Sequence, residues 1–95
     1  MACTFLARFR IFPEKEADFL KMVPIIEEIS SRESFTLAYK FYRLKEPGMF
    51  AVLESFTSEE GDRLHQENPE NVALISDIIA CIDGTYHREY LFDVA

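Results

Sequence analysis

The stretch MFAVLESFTSEEGDRLH, from Met49 to His65, decides the fold because an alternating strand runs directly into a capped helix within it. In the strand half, Glu54 shares a face with apolar side chains. A charge in such a place is costly unless it is paired. Thr57 or Ser58 can then cap a helix, with His65 two turns further on. The segment therefore brings a carboxylate and a titratable imidazole to one strand-to-helix joint.

Three further stretches alternate between two faces and predict strands. In the first, Cys3 to Phe12, one face carries Cys3, Phe5, Ala7, Phe9 and Ile11. In the second, Phe35 to Leu44, one face carries Phe35, Leu37, Tyr39 and Phe41. The last is Thr85 to Val94. Pro47 and Gly48 suit a tight turn, so the second strand should form a hairpin with Met49 to Phe56.

Helices are predicted between these strands. Pro13 opens the first helix, whose apolar stripe consists of Phe19, Met22, Val23, Ile26 and Ile29. Pro24 inside this helix should kink it or split it in two. The helix after Ser58 must end by Asn68, which can cap another helix beginning at Pro69. The stripe of that helix, running to a stop at Asp83-Gly84, consists of Val72, Ile75, Ile79 and Ile82.

This order of elements predicts an α+β fold of the ferredoxin-like, split βαβ kind in a single domain, residues 1–95. A four-stranded antiparallel sheet would carry helices on one face. Because the first three strands are apolar on both faces and the chain has no second helical layer, we expect the open face to bind a second copy. The protein is therefore predicted to be a homodimer.

The amino-acid composition excludes several classes of binding partner. Ten Lys and Arg against 17 Asp and Glu give a net charge of −7, which disfavours nucleic acid and anionic membranes. The N-terminus alternates and does not resemble a signal peptide or a membrane anchor, so we expect a cytoplasmic protein. Cys3 and Cys81 form no CxxC motif, and His65, His87 and Glu54 lack metal-ligand spacing. We therefore predict no metal.

Several motifs together resemble the antibiotic biosynthesis monooxygenase family, whose members are small dimeric α+β barrel proteins. They are the run PEKEADFL after the first strand, the strand SFTLAYKFYRL, the segment PGMFAVLESFTSEEG, and His65 on the following helix. The resemblance extends from Phe5 to Val94. It implies a fold that hosts cofactor-independent oxygenases of polycyclic aromatics, quinol oxidases, haem-degrading enzymes and members of unknown activity.

The resemblance also implies site residues. Glu54 matches a carboxylate that commonly ends the third strand, ahead of an aromatic residue that is Phe56 here and often Trp in the family. His65 matches a histidine on the next helix. The haem-degrading branch uses an Asn, Trp and His set, and the absence of any Trp from this chain speaks against haem. We therefore expect no cofactor.

Two functions follow as hypotheses. In the first, His65 and Glu54 are catalytic in an oxygenase or oxidase that uses O2 on a small phenolic, quinol or polycyclic aromatic substrate. Candidate substrate-binding residues are Tyr39, Tyr86, Phe56 and Arg8. In the second, the chain is a non-catalytic dimeric module that binds a small apolar ligand or serves as a stress-related or interaction domain. Glu54 would then pair with Arg8, Arg10 or Lys40, and the tyrosines would belong to the core or interface.

Overall fold

A computed structural model describes all 95 residues, from Met1 to Ala95. Its elements, in chain order, are β1 (Cys3–Ile11), a 3-10 helix (Pro13–Lys15), α1 (Glu16–Ser31), β2 (Thr36–Arg43), β3 (Met49–Phe56), α2 (Glu59–Glu67), α3 (Pro69–Ala80), β4 (Ile82–Asp83) and β5 (Arg88–Tyr90). The sheet order is β2-β3-β1-β4, with β5 also beside β1 and every neighbour antiparallel. The predicted split βαβ fold is confirmed. None of the helices is long and apolar enough to cross a membrane.

The core lies between the helices and one face of the sheet. All five odd-numbered residues of β1 are buried, as the alternation predicts, and their even-numbered neighbours point to the opposite face. The main cluster combines residues from β1, β3, α1 and the end of α3: Ala7, Phe9, Ile11, Phe19, Ile26, Phe50, Val52, Ile78 and Cys81. Cys3 and Cys81 are both buried free thiols. The inner face of β1 therefore fixes where the helices pack.

The first helix has the predicted buried stripe and continues through Pro24. Phe19, Ile26 and Ile29 are buried, and Met22 and Val23 pack partly against the core. The helix runs as one element from Glu16 to Ser31, so it is not split at Pro24. Pro24 lies on the exposed side, where water can satisfy the backbone carbonyl that loses its partner.

The hairpin of β2 and β3 is confirmed, with Gly48 in the left-handed region at φ 82°. One predicted position on its inner face is wrong. The register of β2 shifts between Thr36 and Ala38, and this bulge turns Leu37 outward, where it is 61% exposed. Tyr39 and Phe41 keep their predicted inward direction and pack against the core.

The stripe predicted on α3 is displaced by one residue. Val72 is 53% exposed, whereas its neighbour Asn71 is fully buried together with Ile78. Apolar residues surround most of this helix, so their spacing alone does not fix which side packs inward. The predicted start is confirmed, because the Asn68 side chain accepts a hydrogen bond from the backbone N–H of Glu70.

The predicted last strand, Thr85 to Val94, is confirmed only for Arg88–Tyr90, and the predicted end of α3 at Asp83-Gly84 is wrong. The helix ends at Ala80, and two short strands, β4 and β5, pair with β1. Asp83 pairs with Arg10 and Arg88 with Ala7, so the four residues 84–87 lie opposite only two residues of β1. Four residues cannot pair with two, and this segment leaves the sheet as a loop.

For an alanine substitution at Gly61 on α2, close packing and helix propensity predict opposite effects on stability. Propensity alone makes alanine better by about 1 kcal/mol. A Cβ at Gly61 would, however, lie 3.0 Å from the backbone oxygen of Phe35 and 3.1 Å from Cβ of Phe56. Overpacking of this kind costs about 1–3 kcal/mol, so Gly61→Ala should lower the urea midpoint of unfolding. A raised midpoint would contradict this close packing of α2.

Candidate functional site

A cavity of about 110 Å³ lies between the inner face of the sheet and helices α2 and α3. Eleven of its 15 lining residues are hydrophobic. The polar or ionisable groups among the lining are Glu54, His65, Gln66 and Arg88, together with the hydroxyls of Tyr39 and Tyr86. A small apolar space with a few polar groups is typical of a ligand-binding site.

Glu54 reaches this cavity from β3, at the inner-face position between Phe5 of β1 and Tyr39 of β2. The pKa of its carboxyl is raised to about 8, mainly because the group is buried; the Arg88 guanidinium opposes this rise, and the nearby carboxylate of Asp62 contributes to it. At neutral pH Glu54 is therefore mainly a protonated acid. It can donate a hydrogen bond to an oxygen atom in the cavity.

His65 reaches the same cavity from α2 and is only 2% exposed. Its Nδ1 lies 2.9 Å from Oε1 of Glu33, and its Nε2 lies 4.0 Å from Oε1 of Glu54. The ring packs against Tyr39 and Phe56, with centroids 4.8 and 5.3 Å away. These contacts fix the plane of the imidazole and direct Nε2 toward the Glu54 side of the site.

Glu33 was not singled out in the sequence, yet it is the centre of a buried polar network. Its two oxygens accept hydrogen bonds from Thr36 Oγ1 at 2.8 Å, Asn68 Nδ2 at 2.8 Å and Asn71 Nδ2 at 3.1 Å. The Glu33 carboxylate can only accept hydrogen bonds, so Nδ1 of His65, at 2.9 Å from it, must carry a proton to donate. In the neutral ring, Nε2 then keeps its lone pair and can act as a base.

Tyr39 and Tyr86 both line the cavity. Burial, reinforced by the nearby carboxylates of Glu54 and Glu33, raises the pKa of the Tyr39 phenol far above its usual range. Tyr39 is therefore a neutral phenol at any physiological pH. Tyr86 belongs to the loop of residues 84–87 that leaves the sheet, which explains how an unpaired segment contributes to the site.

The other two predicted substrate-binding residues lie outside the cavity lining. Phe56 is fully buried behind His65. Arg8 has an even number on β1, so it points to the opposite face, where it forms an exposed ion pair with Glu89 at 2.7 Å. The cation that lines the cavity is instead Arg88 of β5, whose Nη1 donates to Asp62 Oδ2 at 2.6 Å.

The pairing of Glu54 with Arg8, Arg10 or Lys40, considered from the sequence, is not present. Arg8 pairs with Glu89 and Arg10 pairs with Glu46, both on the exposed face of the sheet. The structure contains no group of three or more His, Cys, Asp or Glu side chains arranged to hold a metal ion. The site thus consists of a buried acid, a buried imidazole and an apolar enclosure.

The raised pKa of Glu54 predicts a pH dependence of stability. Between pH 4.5, the ordinary value, and about 8, the folded state keeps a proton that the unfolded state releases. The free energy of unfolding therefore falls as pH rises through this interval, by about 1.4 kcal/mol per unit and a few kcal/mol in all. Glu54→Gln cannot ionise, so it should gain stability over the wild type progressively from pH 5 to pH 8.5 in urea titrations. Parallel pH profiles of the two proteins would rule out a buried, protonated Glu54.

No protein-family model and no curated protein sequence matches the chain. Solved structures do match it. An antibiotic biosynthesis monooxygenase superposes with a TM-score of 0.89 at 21% identity over 100% of both chains. A protein provisionally named antibiotic biosynthesis monooxygenase, from Caulobacter crescentus CB15, has a TM-score of 0.85 at 25% identity and covers 99% of this chain and 91% of its own.

A similarly named protein from Nitrosomonas europaea has a TM-score of 0.87 at 12% identity, covering 98% of this chain and 90% of its own. At identities this low, the superpositions show that the folds are alike but do not show which chemistry each site performs. The names of these matching structures are those of the family that the sequence motifs resemble. The chain therefore has the same fold as these solved structures, which are named antibiotic biosynthesis monooxygenases.

Proposed function

We propose that the chain is a cofactor-independent oxidoreductase that transfers electrons from a small phenol or quinol to O2. The observation that carries the proposal is the buried His65, whose Nδ1 is held by Glu33 while Nε2 faces the cavity beside Glu54. A base of this kind can take a phenolic proton, directly or through a water molecule, and leave an electron-rich anion. The other groups of the site position that anion away from bulk water.

The reaction balances without a redox centre on the protein. A quinol gives two electrons and two protons to O2, forming a quinone and H2O2. In a monooxygenation, a phenol becomes a quinone: a ring carbon loses its hydrogen and gains one oxygen atom as a carbonyl, and that hydrogen and the phenolic proton leave with the second oxygen atom as water. In both cases His65 accepts the first proton and returns it to reduced oxygen, while neutral Glu54 donates a hydrogen bond to the substrate oxygen.

Oxygen consumption tests this proposal. With methylhydroquinone as substrate, an oxygen electrode should record a rate well above that of the same solution without protein. A peroxide assay then separates the two reactions, since only quinol oxidation releases H2O2. If methylhydroquinone and a panel of other quinols and phenols bind, as seen by a raised melting temperature, but are not oxidised, the chain is a ligand-binding module and the proposed activity is wrong.

We further propose that the active form is a homodimer joined through the sheet face opposite the helices. On that face Leu6 and Leu53 are cross-strand neighbours, both half-buried, and Tyr42 is 49% exposed. A second copy would cover these side chains.

Sedimentation should therefore give a mass of twice the 11.1 kDa chain at micromolar concentration. Leu53→Glu would place a charge in the interface and should shift the mass toward one chain. Val72→Glu, an apolar-to-acidic change on the exposed side of α3, is the matched control and should leave the dimer intact. Monomeric wild-type protein would contradict the proposal.

A further inference from the structure

The size, polarity and charge of the cavity together restrict its ligand. We infer that it takes a neutral phenol with one aromatic ring and a short alkyl substituent, and that larger ring systems and acidic phenols are excluded. This inference rests on the proposed function for the reaction at the hydroxyl group, and it narrows the substrate class of the same site.

Size sets the first limit. The cavity measures about 110 Å³, and an apolar protein cavity of about 150 Å³ holds a benzene molecule. One ring therefore occupies most of the space. On the sheet side the walls are Phe5, Ala7 and Phe9, all at most 4% exposed, and packed interiors resist expansion. Fused rings could not lie wholly inside the cavity unless these side chains left their packed positions.

Polarity sets the orientation. Glu54 pairs with Phe5 near the start of β1, whereas Ile82 pairs with Ile11 at its end. The two positions are six residues apart along β1, so they lie toward opposite ends of the cavity. The polar end of the cavity thus holds Glu54 and His65, while the far side carries the branched side chains of Ile75, Ile78, Ile79 and Ile82. A hydroxyl held at the polar end directs the substituent on the opposite side of the ring toward the isoleucines.

The charged groups around the cavity exclude acidic phenols. The Arg88 guanidinium is already bound by Asp62 at 2.6 Å, and Nδ1 of His65 is already bound by Glu33. A ligand carboxylate would lose its water without gaining an unpaired cation, which is strongly unfavourable. A neutral phenol avoids this cost and becomes an anion only when His65 takes its proton.

The test is binding, measured by calorimetry at pH 7 with three probes. The neutral single-ring probe is 4-methylphenol, the acidic one is 4-hydroxybenzoate, and the three-ring one is 1-hydroxyanthracene. We expect 4-methylphenol to bind at least about tenfold more tightly than either of the others. Equal or tighter binding of 1-hydroxyanthracene overturns the size limit, equal or tighter binding of 4-hydroxybenzoate overturns the charge limit, and no binding of 4-methylphenol overturns the inference as a whole.

A variant tests whether volume is the cause. Ile79 lines the cavity at its 46% exposed edge, so Ile79→Ala enlarges the site with little effect on the core. It should strengthen 1-hydroxyanthracene binding at least about tenfold. Val72→Ala, on the same helix but away from the cavity, should not. If both variants bind 1-hydroxyanthracene like the wild type, volume is not limiting and the size argument fails. Binding of 4-methylphenol without oxidation of methylhydroquinone would instead refute the proposed function alone.

Discussion

Replacing His65 with alanine should lower the rate of methylhydroquinone oxidation about 100-fold or more. General base catalysis contributes about 10²–10⁴ in rate, and no other side chain that lines the cavity is a neutral base. Glu54 is mainly protonated at neutral pH, and the Tyr39 phenol keeps its proton. The measurement is initial oxygen consumption at saturating quinol.

Two controls keep this result interpretable. His65 is buried, so circular dichroism and urea unfolding must show that the variant is folded before its rate is compared. His87→Ala removes the other histidine, which is exposed and outside the cavity, and should leave the rate unchanged. If folded His65→Ala oxidises the quinol as fast as His87→Ala, His65 is not the base.

The parts of the fold that follow from local chemistry were predicted correctly. Strict alternation in Cys3–Ile11 fixes which side chains face the core, because a strand has only two faces. Pro47-Gly48 closes the hairpin and Asn68-Pro69 starts α3, since each depends on the backbone preferences of the residues themselves. Such features need no knowledge of distant parts of the chain.

The sequence-based predictions were wrong at positions whose structure depends on contacts with distant parts of the chain. The loop of residues 84–87 exists because β4 and β5 pair with β1 in different registers, and an alternating sequence does not encode that difference. Arg88 lines the cavity for the same reason: only the register of β5 against β1 reveals that it sits over the Phe5 ring. The alternation of β1 already places Arg8 on the face opposite Phe5, whereas the sequence does not assign Arg88 to the cavity.

Glu33 shows the same limit within the site. In the sequence it lies in a polar connection, SSRES, which is typical of a solvated loop. Its burial results from α2 and α3, more than 30 residues later, whose His65, Asn68 and Asn71 all donate to it. One signal was available, because Asn71 directly precedes the apolar run VALI, residues 72–75, and a buried amide needs partners. That signal does not name the partner.

The Glu33 network leads to the largest expected effect on stability. Glu33→Ala removes the acceptor of four hydrogen bonds, from Thr36, His65, Asn68 and Asn71, and leaves the buried donors of His65 and Asn71 without this partner. Unpaired buried donors each cost about 1–3 kcal/mol. We expect the free energy of unfolding to fall by about 3–5 kcal/mol, measured from urea titrations with unchanged slope.

The matched control is Glu28→Ala, which removes an exposed glutamate paired with Arg32 in the same part of the chain. An exposed pair one helical turn apart contributes only about 0.3–0.5 kcal/mol. A loss for Glu33→Ala no larger than this would show that the network does not hold the α2–α3 junction in place.

A double-mutant cycle between Glu33 and His65 separates the pair from the rest of the network. If the 2.9 Å contact stabilises the fold, the loss in Glu33→Ala/His65→Ala is smaller than the sum of the two single losses, by about 0.5–3 kcal/mol. Strict additivity would mean that Glu33 stabilises the fold through its contacts with Thr36, Asn68 and Asn71. The orientation of His65 would then depend on its packing against Tyr39 and Phe56, and Glu33→Ala, where folded, would retain full oxidase activity.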